Sequence, residues 1–72
     1  MSLAKIASGQ KVRIVSMNAG RQLTEKLASI GIFPGSQVEV VQNHLHGAFL
    51  IDCRGSRFAI GRGLAHIIRV DD

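Results

Sequence analysis

Between Leu27 and Val40 the hydrophobic period of this chain changes, and that change narrows what the whole can fold into. Looking back from Ile30, Leu27 and Leu23 fall on one helical face; looking ahead, Val38 and Val40 alternate with Gln37 and Glu39 at the period of a strand. A helix therefore ends, and a strand begins, around Gly31 to Gly35. Gly31 can take the left-handed conformation that closes a helix, and Pro34 cannot re-enter one. Pro34-Gly35 then turns the chain, because proline presets φ at the first central position and glycine accepts positive φ at the second. Leu27, Gly31, Pro34, Gly35, Val38 and Val40 are read on these grounds as fold-determining.

The elements on either side are short. Ser2 to Ile6 predicts one capped helical turn that tucks Leu3 and Ile6 under the rest. Lys11 to Ser16 alternates, with Val12 and Ile14 inward and Lys11 and Arg13 in solvent, and predicts the first strand. From Arg21 the spacing predicts a helix with Leu23, Leu27 and Ile30 inward; about ten residues of helix do not stand alone in water, so it must pack on a sheet. A second strand follows over Gln37 to Val41, then a loop over Gln42 to Gly47.

Phe49 to Ile60 predicts a β-hairpin around Arg54-Gly55, with Cys53 opposite Ser56, Asp52 opposite Arg57 and Ile51 opposite Phe58. This register gathers Phe49, Ile51, Phe58 and Ile60 on one apolar face and matches Asp52 with Arg57 on the other. A primed turn needs positive φ at Arg54 as well as Gly55, which is unfavourable for arginine, so a type II turn or a bulge is the alternative. Gly61 to His66 predicts a single helical turn, and Ile67 to Val70 a closing strand. Five short strands and one short helix between strands 1 and 2 make the expected fold mainly β, a small SH3-like barrel whose closure removes the sheet edges.

Seventy-two residues leave room for one domain, spanning residues 1–72. An apolar content of 46% against 19% charged residues argues for a packed globule rather than a disordered tail. Cys53 is the only cysteine, which rules out an intrachain disulfide and fits a reducing, cytosolic setting. The longest apolar run, Ala48 to Ile51, is far short of a membrane span. The formal charge of +4 arises from basic residues spread along the chain, which suits an acidic partner without specifying one.

The pattern Leu27-x3-Gly31-Ile32-x-Pro34-Gly35-x2-Val38-x-Val40, then the hairpin with Gly55, then Ala65-x2-Ile68-x-Val70, resembles the FeoA family of ferrous iron transport proteins. The opening Leu3-x2-Ile6-x2-Gly9-x2-Val12-x-Ile14 fits the same resemblance, which thus covers nearly the whole chain. It implies an SH3-like cytosolic domain that acts beside the FeoB transporter as an accessory and carries no catalytic residue. The same domain type is also found at the C-terminus of metal-dependent repressors; this chain lacks a helix-turn-helix region, so the free-standing form is expected.

Candidate sites follow from the residues. Ile32, Phe33 and Pro34 sit at the pivot, and Phe33 falls outside both periodic faces; with Arg57 they form a candidate partner-binding surface. His44-x-His46 would place two imidazoles on one side of an extended segment, a start for a weakly bound transition metal, although two ligands do not make a tight site and surface histidines are the simpler account. No cofactor is required. A nucleic-acid-binding barrel is the competing expectation, from the charge; it lacks the exposed aromatics such barrels use, since the hairpin register commits Phe49 and Phe58 to the core. No nucleophile with a base at recognisable spacing and no phosphate-binding glycine loop is present, so no enzyme is expected.

Overall fold

A computed structural model describes residues 1–71. A 3-10 turn at Leu3–Lys5 is followed by strand β1 (Lys11–Met17), helix α1 (Gly20–Ser29) and strand β2 (Gln37–Asn43). The hairpin strands β3 (Phe49–Cys53) and β4 (Ser56–Ile60), helix α2 (Arg62–Ile67) and strand β5 (Ile68–Asp71) complete it. The strands form one antiparallel sheet in the order β4-β3-β2-β1-β5.

The sheet curls because two of its ladders each carry an extra residue. The β1–β5 register shifts between Ile14 and Ser16, and the β2–β3 register between Val40 and Gln42, leaving Val15 and Val41 out of step. Such bulges bend a strand and sharpen its twist. Val15 consequently points to solvent, while Val12, Ile14, Val38, Val40, Phe49, Ile51, Ile68 and Val70 enclose the core. Leu3, Ile6 and Ala65 plug it, drawn in by the Ser2 side chain, whose Oγ accepts from the Ala4 N–H and donates to the Ala65 carbonyl.

Edge closure departs from expectation. The hydrogen-bonded ladder stops at β4 on one side and β5 on the other, and α2 bridges the two. The β5 edge is nevertheless covered: the Val70 N–H donates to the Met1 carbonyl at 2.7 Å, and Ser2 pairs with Arg69. Near the other end, Asn43 fastens three segments, its amide nitrogen donating to the Ala4 and Ile6 carbonyls while its side-chain oxygen accepts from Arg62.

The pivot forms as its glycines and proline demand, with one exchange of roles. Gly31 adopts φ +96°, its N–H donates to the Ala28 carbonyl, and the Ile32 N–H reaches back to Leu27 at 2.9 Å. This pair of bonds is the Schellman closure, which swings the residue after the glycine onto the last helical turn. Ile32 is therefore fully buried beside Leu27 in the core, whereas Ile30, expected inward, is 42% exposed. The helical period stops at Ser29, so its extrapolation to Ile30 fails.

Candidate interaction site

The turn after this closure spans Phe33 to Ser36, with the Ser36 N–H donating to the Phe33 carbonyl at 3.0 Å and Gly35 at φ +97°. Positive φ at the second central position, after proline, matches the type II pattern expected there. Ser36 is buried, and its Oγ also donates to the Phe33 carbonyl at 2.7 Å. The turn is tied to β1 as well: the Gly35 N–H donates to the Ile14 carbonyl at 2.7 Å. Pro34 and Gly35 thus stand exposed on a firmly anchored base, and Phe33 is half-buried.

The β3–β4 hairpin holds the register expected for it, Cys53 to Ser56, Asp52 to Arg57 and Ile51 to Phe58. Of the turns left open by the sequence, the hairpin takes the primed one. Arg54 has φ +54° and Gly55 φ +83°, the paired positive values of a primed turn. The arginine accepts this conformation because the two-residue connection between right-twisted strands requires it, and its position turns the side chain onto the pivot. The Arg54 guanidinium carbon lies 5.0 Å from the centre of the Phe33 ring, within cation–π range. Its aliphatic stem passes over Gly31, where an added Cβ would stand 3.4 Å from Arg54 Cδ. Beneath, the Cys53 thiol is buried and donates to the Gly31 carbonyl at 3.4 Å. Gly31 thus closes the helix and lies directly beneath the hairpin tip.

Beside this tip runs a groove of about 280 Å³ lined by Lys11, Gln37, Val38, Glu39, Asp52 and Arg54, with Gly55 at its end. Its charges cross the sheet in register, Lys11 opposite Glu39, Glu39 opposite Asp52, and Asp52 opposite Arg57. Arg57 grips the Asp52 carboxylate with two nitrogens. Its Nε donates to Asp52 Oδ1 at 2.9 Å and a terminal nitrogen to Oδ2 at 3.3 Å. The guanidinium hydrogen bond holds the Asp52 carboxyl below its ordinary value against the opposing effect of desolvation, and the guanidinium charge adds a smaller lowering. An NMR pH titration should find Asp52 ionising below a free aspartate, and Arg57→Gln should return it toward the ordinary range. Because the folded value is depressed, what the pair adds to stability is present above the ordinary carboxylate range and is lost as the pH falls through the folded value.

The other residues singled out from sequence do not join this site. Ile32 presents no surface to a partner. His44 and His46 lie exposed on a turn, where the Gly47 N–H donates to the His44 carbonyl, so the extended geometry that would align their imidazoles does not form. Among the described residues, no three of His, Cys, Asp or Glu gather as a metal-binding group. Phe49 is buried and Phe58 half-buried, so neither supplies an open stacking surface for nucleic acid. For Arg54 as the partner of Phe33 the sequence carries one signal, an arginine in a turn position that favours asparagine or glycine.

The FeoA domain model matches residues 1–72. The chain belongs to the FeoA family. It is 40% identical over 70 residues to the Methanocaldococcus jannaschii protein named "Putative Fe(2+) transport protein A", covering 97% of this chain and 84% of that one. The crystal structure of an iron uptake regulatory protein (FeoA) superimposes with a TM-score of 0.85 at 34% identity, covering 99% of this chain and 93% of the other. FeoA of Stenotrophomonas maltophilia, a prokaryotic SH3 domain protein crystallised with zinc, gives a TM-score of 0.82 at 22% identity over 99% of this chain and 89% of its own. That likeness is one of fold, and it identifies the curled sheet as SH3-like. Membership in this family ties the FeoA domain described here to ferrous iron transport. Among the described residues no helix is long and apolar enough to cross a membrane.

Proposed function

We propose that this FeoA domain is a non-enzymatic cytosolic accessory of ferrous iron uptake that docks on the cytoplasmic part of a FeoB-type transporter, and that the pivot and hairpin tip are its contact surface. The observation that carries the reading is the Phe33–Arg54 pair at the rim of a rigid turn. An aromatic side chain overlain by arginine joins two residue types that dominate binding energy at protein interfaces. Pro34 and Gly35 add an exposed backbone with little freedom to lose on docking. Arg57 extends the surface along β4. Docking needs no resident cofactor, since iron is the cargo of the partner.

The reading is tested by capture of the FeoA domain on the immobilised cytoplasmic part of the transporter. Phe33→Asp should weaken capture by roughly thirtyfold, the equivalent of about 2 kcal/mol for the loss of a central anchor. Arg57→Glu should weaken it less. Unfolding curves of both variants establish that the loss is one of contact. Equal capture of the native chain and both variants would remove this surface from the account.

A further inference from the structure

The two edges of the sheet are treated differently by the chain. Met1 and Ser2 lie along β5, in effect adding a short strand there. Strand β4 pairs with β3 alone, in a register free of bulges, and among the described residues no other backbone group bonds to it. The primed two-residue turn makes Cys53 and Ser56 a hydrogen-bonded pair, and the alternation of an antiparallel ladder then gives the same role to Ile51–Phe58 and Phe49–Ile60. The N–H and C=O groups of Arg57 and Ala59 consequently point away from the sheet. Both residues are exposed, whereas Phe58 and Ile60 are half-buried at the rim of the core. None of the usual guards of an open edge, such as a proline, a bulge or a lysine, stands on β4.

Charge narrows what can pair there. The cations at this edge are Arg54 and Arg57, and β4 itself carries no carboxylate. Arg57, although bonded to Asp52, keeps 59% of its side chain exposed, and Arg54 stands at the turn end of the strand. We propose that β4 is a strand-addition site for an extended acidic segment of a partner protein, with acidic residues opposite Arg57 and Ala59 and apolar residues covering Phe58 and Ile60. Main-chain bonds to Arg57 and Ala59 supply the affinity and the pleat supplies the alternation, as in other strand-addition modes. This deepens the docking role by naming the partner's chemistry and rests on that reading for its biological setting. Its test needs no transporter, so failure here leaves the capture result standing.

The probe is a capped pentapeptide alternating glutamate and valine, titrated into the isotopically labelled native chain and followed by NMR. The Arg57 and Ala59 amides should shift, and their hydrogen exchange should slow by about tenfold or more at saturation. Added salt should weaken binding, and the lysine–valine counterpart should not bind. Ala59→Pro removes one outward N–H while sparing the bonds to β3, a change an edge strand accepts, and should abolish binding. Arg54→Glu, at an exposed turn position, should weaken it by an independent route. The proposal is overturned if the glutamate peptide fails to bind at millimolar concentration, binds elsewhere, or is matched by the lysine peptide or by folded Ala59→Pro. Shifts at Arg57 and Ala59 that grow with protein concentration alone would assign the edge to a second copy of this chain and would also overturn it.

Discussion

Ile32→Ala is expected to destabilise the domain by about 2–5 kcal/mol, while Ile30→Ala, two positions earlier, should cost well under 1 kcal/mol. Ile32 is fully enclosed, and truncating it removes methylene groups from a packed core and leaves a cavity beside Leu27. Ile30 is 42% exposed and caps the helix with its backbone alone. In a domain of this size the first loss approaches the whole of the net stability, about 3–5 kcal/mol, so Ile32→Ala should be largely unfolded at 37 °C. Urea unfolding of the two variants measures the contrast. Similar midpoints would mean that the helix does not close at Gly31.

Gly31→Ala is the second large effect, and it should be felt in two places. At φ +96° a side chain is strained by about 1–3 kcal/mol whatever the space around it. The added Cβ would also stand 3.4 Å from Arg54 Cδ and 3.7 Å from Cys53 Sγ, in direct contact with the hairpin tip. Stability should fall, and the Phe33 ring resonances should move because the new methyl group adjoins the Arg54 stem that lies over that ring. Gly9→Ala is the control: its φ is +91°, yet an added Cβ would meet nothing within 4 Å, so it should lower stability without moving Phe33.

These variants also mark how far the sequence could be read. The hairpin was legible to the residue, because a two-residue connection fixes the register and the alternation of Ile51, Asp52 and Cys53 fixes the faces. The SH3-like order of elements was legible for a similar reason, since every change of period but that from α2 to β5 coincides with a glycine or proline. The exchange between Ile30 and Ile32 was not. Periodicity shows that a helix exists but not which residue ends it, and a Schellman closure reverses the facing of the residues around it. The bulges at Val15 and Val41 were equally hidden, since an extra residue in a ladder is set by its partner strand. Of the site, Phe33 was legible as a residue unexplained by either face. Its contact with Arg54 was not, because it joins turns 21 positions apart and depends on a backbone conformation that arginine disfavours.

The docking claim is tested most directly by mapping, residue by residue, which backbone amides of the labelled chain shift when the cytoplasmic part of the transporter is added. The largest shifts are expected at Phe33, Gly35, Arg54 and Gly55, continuing into Arg57. Shifts confined to the outer face of α1 or to the loop at His44–Gly47, with Phe33 and Arg54 unmoved, would contradict it.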